Sequence, residues 1–214
     1  MTTRLTRWGH SCVRLERDGA SLVIDPGSFS DLDAALSGAP AVLVTHEHVD
    51  HLDVPRVAEA VGQGLEVWGP QAALDAIVGA GAPQDRLHAV QDGDTVTVGP
   101  FDVAVLGEWH ALIHPDVPRV ANVAYLVDGV LHPGDALVDP AGHGVDVLLT
   151  PLAAPWLKIA EVVDWVRAVR PARIAVIHDA QLSEAGRGLS RTLLGRLGGA
   201  GDPVDLANGE SLDV

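Results

Sequence analysis

The sequence predicts a mixed α/β protein in which two β-sheets form the core and helices cover both outer faces. Short apolar runs rich in valine recur along the chain, as is typical of buried strands. Between them lie segments whose apolar residues repeat at helical spacing. The chain has 214 residues, of which 47% are hydrophobic, so it can bury a sizeable core. We therefore expect a single domain over residues 1–214.

The first half of the chain alternates strand and helix patterns after an antiparallel start. Asp25-Pro26-Gly27 ends the third strand pattern, and Asp53 is a helix N-cap with Pro55 in the first turn. Pro70 begins a further helix. We predict strands at residues 5–8, 12–15, 21–24, 41–44 and 65–68, and helices near 31–36, after Asp53 and after Pro70.

The second half repeats this alternation without a sequence repeat. Gly99-Pro100 and Asp128-Gly129 each form the turn of a predicted hairpin. We predict strands at residues 94–98, 101–106, 122–127, 130–131, 145–149 and 173–177, helices at 159–169 and 189–197, and a short final strand.

The charge of the chain argues against a nucleic-acid partner. It contains 14 basic and 29 acidic residues, which gives a formal net charge of −15. Nucleic-acid binding requires a basic face that displaces counterions from phosphates, yet Lys158 is the only lysine and the arginines are scattered. We therefore expect a small-molecule substrate as the partner. A homo-oligomer is compatible with the sequence.

The cysteine content and the hydropathy pattern indicate the compartment. Cys12 is the only cysteine, so an internal disulfide is impossible, which fits a reducing cytoplasm. No apolar run approaches the ~20 residues that a membrane span needs. We therefore expect a cytoplasmic protein with no membrane partner.

The most informative stretch follows the apolar run 41–44. There, three histidines and an aspartate occur within six residues, in the order His46, His48, Asp50 and His51. Residues two apart in an extended segment point the same way, so His46 and His48 can reach one metal ion. After the chain turns, Asp50 and His51 can face a second one. This density of ligand types predicts half of a two-metal site.

Three later residues of ligand type also follow apolar strand patterns: His110, Asp135 and His178. Functional sites in layered α/β proteins gather at strand ends, where loops from distant parts of the sequence meet. We therefore expect these three side chains to join the His46–His51 segment in one metal centre.

These motifs resemble those of the metallo-β-lactamase fold superfamily, in the same order along nearly the whole chain. The flanking segments Gly9-His10-Ser11, Ile24-Asp25-Pro26-Gly27 and His132-Pro133-Gly134-Asp135 look more narrowly like its ascorbate-6-phosphate-lactonase-like branch. The resemblance implies a four-layer αββα sandwich with the metals at one edge between the sheets.

The resemblance also implies a ligand set. One metal would be bound by His46, His48 and His110, the other by Asp50, His51 and His178, with Asp135 bridging both. Two divalent cations sharing a hydroxide nucleophile would then hydrolyse a lactone, ester or phosphodiester. The core charge of about +1 would favour an anionic substrate or a developing oxyanion. Imidazole and carboxylate ligands admit Zn, Mn or Fe, with Zn expected first.

Further residues near these motifs are candidates for supporting or catalytic roles. We place Asp50, His114 and His132 among the catalytic residues, with His114 orienting substrate or donating a proton. His10 could line the site or support a ligand, and Asp25 could hold the far nitrogen of a ligand histidine. Three large aromatic residues could wall a pocket: Trp109, Trp156 and Tyr125. The loop 113–122 could set specificity, together with a neighbouring subunit.

Other functions remain compatible with this ligand set. A thioester hydrolase would use the same residues. The same fold also holds non-haem iron in redox enzymes such as persulfide dioxygenases, although the di-iron kind typically has an acidic residue where His48 stands. A non-catalytic metal-binding module is the third alternative.

Overall fold

The computed structural model describes residues 2–214 and contains thirteen strands and five helices. The strands are β1 (Arg4–Arg7), β2 (Val13–Arg17), β3 (Ala20–Ile24), β4 (Ala41–Leu43), β5 (Glu66–Gly69), β6 (Leu87–Ala89), β7 (Thr95–Val98), β8 (Phe101–Leu106), β9 (Ala124–Val127), β10 (Val130–His132), β11 (Val147–Pro151), β12 (Arg173–Ile177) and β13 (Ser211–Asp213). The helices are α1 (Leu32–Leu36), α2 (Val54–Gly62), α3 (Gln71–Gly79), α4 (Ile159–Val169) and α5 (Glu184–Leu197).

The strands form two sheets. The first has the order β13-β1-β2-β3-β4-β5-β6 and the second has the order β12-β11-β10-β9-β8-β7. Antiparallel pairs start each half of the chain, and parallel pairs link β3 to β6 and β10 to β12. Parallel strands need crossover connections, which the helices provide in most cases.

Three apolar cores separate four layers. Leu22 and Ile24 of the first sheet pack in one core with Tyr125 and Leu149 of the second, so the sheets face each other. Val23 points the opposite way, into a core shared with α1, α2 and α3. The outer face of the second sheet packs on α4 and α5. The predicted αββα sandwich is therefore confirmed, and burial on both faces explains the continuous apolar strand patterns.

Local sequence signals account for most helix ends. The side chain of Asp53 accepts a hydrogen bond from the backbone N–H of Arg56 and caps α2. Helix α4 has the predicted bounds. Helix α5 begins at Glu184, earlier than predicted, because Ser183 caps it through the N–H of Gly186. The sequence patterns did not predict β6, a three-residue edge strand.

Within residues 2–214, none of the helices is both long enough and apolar enough to cross a membrane.

Candidate metal centre

The predicted ligands lie just beyond the ends of strands in both sheets. His46 and His48 follow β4 of the first sheet, and Asp50 and His51 continue the same loop. From the second sheet, His178 follows β12 directly, whereas His110 and Asp135 follow β8 and β10 after short connections. The structure thus brings together all seven residues predicted as metal ligands.

The ligand atoms fall into two groups, in each of which they lie within 4.8 Å of one another. The first group comprises His46, His48, His110 and Asp135, and the second comprises His10, Asp50, His51 and His178. Apart from His10, this division matches the expected distribution of ligands between two cations.

The carboxylate of Asp135 lies between the two groups. Its Oδ1 is 3.1 Å from Nε2 of His51 and 3.2 Å from Nε2 of His178. Its Oδ2 is 3.3 Å from Nε2 of His110. One oxygen therefore faces each group, which is the arrangement that a carboxylate needs to bridge two cations.

Hydrogen bonds at Nδ1 fix the tautomers of two histidines on the first sheet. Nδ1 of His51 donates to Oδ2 of Asp25 at 2.6 Å, which is the contact expected of Asp25. The hydroxyl of Thr45 donates to Asp25 at 2.7 Å, so it accepts from Nδ1 of His46 at 2.9 Å. Both rings consequently carry their proton on Nδ1 and a lone pair on Nε2.

The same tautomer holds for two histidines on the second sheet. Nδ1 of His110 donates to the carbonyl of Ala111 at 2.6 Å, and Nδ1 of His178 donates to the carbonyl of Ala153 at 2.5 Å. Buried Nε2 atoms without a hydrogen-bond partner among residues 2–214 occur in all four rings: His46, His51, His110 and His178. Buried polar atoms are rarely left unpaired, so these lone pairs fit divalent cations.

His10 has the opposite tautomer. Its Nδ1 accepts a hydrogen bond from the backbone N–H of Ala180 at 3.2 Å, which leaves the ring proton on Nε2. That Nε2 lies 3.3 Å from Oδ2 of Asp50 and can donate to it. His10 is therefore suited to hold Asp50 in place rather than to bind a cation, although it lies within the second group.

Burial and neighbouring charge shift the pKa values of His46 and His178 in opposite directions. Burial lowers the pKa of His46 well below its ordinary value, which keeps that ring neutral. Burial alone would also lower the pKa of His178, but Asp135 and Asp50 outweigh it and raise that pKa to about 9. The two carboxylates thus favour positive charge beside His178, and a bound cation would supply it.

Two glycines allow the ligand loops to approach their neighbours closely. A Cβ atom on Gly27 would lie 1.9 Å from the carbonyl oxygen of Asp50. Gly134 has a φ of +59°, and a Cβ atom there would lie 2.2 Å from Oδ1 of Asn122. Any side chain at these positions would displace the loops that carry Asp50 and Asp135.

Two residues predicted to be catalytic lie outside both groups. His132 has no exposed side-chain surface: its Nε2 donates to the carbonyl of Ser11 at 2.8 Å, and its Nδ1 accepts from the N–H of Gly134 at 3.2 Å. Both ring nitrogens of His132 are thus occupied by backbone hydrogen bonds, and its catalytic role stays a prediction. His114 lies exposed in the loop after His110, so its catalytic role stays a prediction.

The aromatic residues also differ in their placement. Tyr125 does not wall a pocket: it is buried between the sheets, where its hydroxyl donates to the carbonyl of Val44 at 2.8 Å. Trp156 does lie at the centre, and its indole Nε1 donates to Oδ2 of Asp135 at 3.0 Å. Trp109 is exposed beside His110.

Sequence reasoning missed Asn122 as a supporting residue. Its side-chain oxygen accepts a hydrogen bond from the backbone N–H of Asp135 at 2.9 Å, and its amide donates to the carbonyl of Pro133 at 3.0 Å. The fully buried Asn122 therefore fixes the turn that presents Asp135. A polar residue just before an apolar strand was its sole sequence signal.

This four-layer architecture is that of the metallo-β-lactamase fold. A family model described as a beta-lactamase superfamily domain matches residues 4–178. Because this match spans more than half of the chain, the chain belongs to that superfamily.

Individual relatives support this assignment. Protein Rv0786c of Mycobacterium tuberculosis is 40% identical over 195 residues, which cover 87% of this chain and 88% of the relative. A probable L-ascorbate-6-phosphate lactonase of Salmonella paratyphi B is 39% identical over 88 residues, which cover 39% of this chain and 23% of the relative. The structure of Igni18, a metallo hydrolase of Ignicoccus hospitalis, aligns with a TM-score of 0.76 and 18% identity, covering 100% of this chain and 99% of the other.

Proposed function

We propose that this protein hydrolyses an ester, a lactone or a phosphodiester of a small molecule with the help of two divalent cations. His46, His48 and His110 would hold one cation, Asp50, His51 and His178 would hold the other, and Asp135 would be the ligand common to both. The observation that carries the proposal is the set of four buried histidine Nε2 atoms that have no hydrogen-bond partner among residues 2–214; three of them lie within 3.3 Å of a carboxylate oxygen of Asp135.

When bound, the cations supply a water nucleophile of lowered pKa and polarise the scissile bond. The chain's own residues keep the ligands in place. Asp25 orients His51, His10 donates to Asp50, and Trp156 donates to Asp135. Such partners restrict the ligand side chains to one orientation and raise their affinity for the metal.

His114 is the residue that we propose as the proton donor to the leaving group. Its Nδ1 accepts a hydrogen bond from the backbone N–H of Asp116 at 3.1 Å, so the proton of the neutral ring resides on Nε2. The ring is exposed in the loop that follows His110. A general acid at this position would assist departure of an alkoxide.

Zinc is the proposed native metal, with manganese and iron as alternatives. The ligand set consists of imidazoles and carboxylates without a thiolate, which suits all three metals. The partial match to a probable L-ascorbate-6-phosphate lactonase supports an acyl bond as the target.

The experiment that tests the proposal compares His48→Ala and Asp135→Ala with His143→Ala. His143 is exposed and belongs to neither ligand group, so it serves as the control. We expect both ligand variants to lose hydrolysis of p-nitrophenyl acetate and bis-p-nitrophenyl phosphate while far-UV circular dichroism shows them folded. Unchanged turnover in both would refute the proposal. Iron in the purified protein together with oxygen uptake on a thiol substrate would instead support the redox alternative.

A further inference from the structure

Exposed apolar side chains are concentrated around the metal centre. Among residues 2–214, eight large hydrophobic side chains are exposed. Two of them, Leu189 and Leu197, lie on α5. The other six lie in the segments that carry or adjoin the ligands: Phe29, Val49, Trp109, Leu112, Ile113 and Val117. Six of the eight therefore lie near the metal centre, and clustered apolar surface is characteristic of binding sites.

One part of this apolar surface lies beside the first ligand group. Leu112, Ile113 and Val117 line a small depression of about 10 Å³ together with His48 and His110, so a larger group would lie across the exposed surfaces of these side chains rather than inside the depression. Their exposed fractions are 56%, 37% and 43%, respectively. A molecule whose reacting group meets His48 and His110 would therefore contact these three side chains next.

A second part lies beside the other ligand group. The ring of Phe29 is 47% exposed, and its centroid lies 5.4 Å from that of His10. Val49, between the ligands His48 and Asp50, is 60% exposed, and its carbonyl accepts the N–H of Ser28 at 2.8 Å. This hydrogen bond holds the Phe29 segment against the ligand loop. The centre is thus flanked by apolar side chains near both ligand groups.

Positive charge around the depression is sparse. Arg119 is the basic residue that lines it. Its Nε donates to the carbonyl of His110 at 2.6 Å, and its guanidinium carbon lies 5.9 Å from the ring centroid of Trp109. A phosphate group is usually bound by several arginine or backbone donors. A single arginine that already fixes its own loop does not provide such a site.

We propose that the substrate carries an apolar group, an acyl chain or an aromatic ring, attached to the bond that is hydrolysed. Leu112, Ile113 and Val117 bind this group beside the cations. The inference rests on the proposed hydrolase function and specifies the substrate class: an acyl or aryl ester or lactone, rather than a phosphorylated sugar lactone. Any negative charge of the substrate lies at the reacting group, next to the cations and Arg119.

The test is a series of p-nitrophenyl esters from acetate to octanoate with the zinc-loaded protein. Each methylene that covers the exposed surfaces of Leu112, Ile113 and Val117 should raise kcat/KM, by less than the roughly three- to fourfold expected for complete burial, until that surface is covered. The double variant Leu112→Ser/Val117→Ser should reduce the hexanoate-to-acetate ratio of kcat/KM at least fivefold. Leu189→Ser, which removes an equally exposed leucine on α5, should leave that ratio unchanged.

A second measurement does not depend on catalysis. Titration calorimetry with the carboxylates acetate, butyrate, hexanoate and octanoate should show affinity that rises with chain length in the wild type and not in the double variant. Hydrolysis without chain-length preference would overturn the inference and leave the proposed function intact. Absence of hydrolysis with chain-length-dependent binding would support the apolar site while removing the hydrolase proposal. Absence of both hydrolysis and chain-length-dependent binding would overturn the inference and the proposed function together.

The apolar surface could instead be covered by a second copy of the chain. Size-exclusion chromatography with light scattering distinguishes this case. A wild-type dimer that the double variant converts to a monomer, with the ester profile unaffected, would assign the surface to a subunit interface and overturn the inference.

Discussion

The indole Nε1 of Trp156 lies 3.0 Å from Oδ2 of Asp135 and donates a hydrogen bond to it. The same oxygen lies 3.3 Å from Nε2 of His110, on the side of the first ligand group. The aspartate follows β10, whereas the tryptophan follows β11. Trp156, in the connection that follows the neighbouring strand β11, therefore restricts rotation of the Asp135 carboxylate between the two ligand groups.

We expect Trp156→Phe to reduce kcat for ester hydrolysis about ten- to 150-fold, because one hydrogen bond to a charged group contributes about 1.5–3 kcal/mol. Steady-state kinetics with parallel elemental analysis would measure this effect. Trp165→Phe is the matched control, since its indole donates to the carbonyl of Val138, outside the ligand groups, at 2.8 Å. An equal loss of kcat in both variants would contradict the proposed role of Trp156.

Asp25→Asn should weaken zinc binding about ten- to a hundredfold. The carboxylate of Asp25 accepts from Nδ1 of His51 at 2.6 Å and from the hydroxyl of Thr45 at 2.7 Å, so it supports two ligand histidines. Competition with a chromophoric chelator measures the affinity. Asp75→Asn, on α3, provides the control, and wild-type affinity in Asp25→Asn would show that the carboxylate is dispensable.

Removal of the cations should lower Tm by about 5–15 °C, because a ligand present at 100 to 1,000 times its Kd stabilises the folded state by about 3–4 kcal/mol. Differential scanning calorimetry before and after dialysis against a chelator would detect the shift. Addition of zinc should restore Tm, whereas magnesium should not, since imidazole ligands do not suit it. A Tm that is indifferent to the chelator would mean that the ligand groups bind no cation in the folded protein.

Arg7→Met should lower the free energy of unfolding by about 3 kcal/mol. The guanidinium of Arg7 is buried, where it pairs with Asp179 and donates to the carbonyl of Leu206 at 2.9 Å. Its removal leaves the buried Asp179 with Arg187 as its remaining arginine partner. Urea denaturation gives the free energy of unfolding.

Arg4→Met is the control for this prediction. Arg4 belongs to the same strand, but its side chain is 62% exposed and pairs with Asp213 at 3.7 Å, so the cost should stay below about 1 kcal/mol. Similar losses of unfolding free energy in the two variants would show that the buried Arg7 ion pair stabilises the fold no more than the exposed Arg4 pair does.

Cys12 should be unreactive in the folded protein. Burial raises the pKa of its thiol, and the nearby charges of Asp25 and Asp31 act in the same direction. The thiol therefore stays protonated at pH 8, whereas an exposed cysteine is partly thiolate there. Mass spectrometry after iodoacetamide treatment should show labelling only in denaturant. Rapid labelling under native conditions would place Cys12 in a conformation that opens readily.

The ligand loop could be predicted from the sequence because its residue types are dense and follow an apolar strand. The supporting residues were harder to predict, since their roles depend on hydrogen bonds between segments far apart in the chain. Asn122 and Trp156 illustrate this, because neither has a neighbour in sequence that points to Asp135. The position of His132 was also hard to predict: it closely precedes the Gly134-Asp135 turn in the sequence, yet its ring points into the interior, and its catalytic role stays a prediction.

Secondary structure could be predicted where the apolar pattern of an element was long, and the prediction failed where that pattern was short or weak. Helix α4 has a clear apolar stripe, and its predicted bounds agree with the structure. The edge strand β6 has only three residues, half exposed, and leaves no periodic pattern. Gly186 and Gly188 lower helix propensity, and they concealed the first turn of α5.

The ligands are divided between the two sheets. The first sheet supplies the loop from His46 to His51, and the second sheet supplies His110, Asp135 and His178. Cations bound there would join segments far apart in the chain only when both halves of the sandwich are docked. In a chain whose single cysteine leaves no internal disulfide, the metal centre would be the cross-link of the fold, and unfolding would release both ions in the step that separates the sheets.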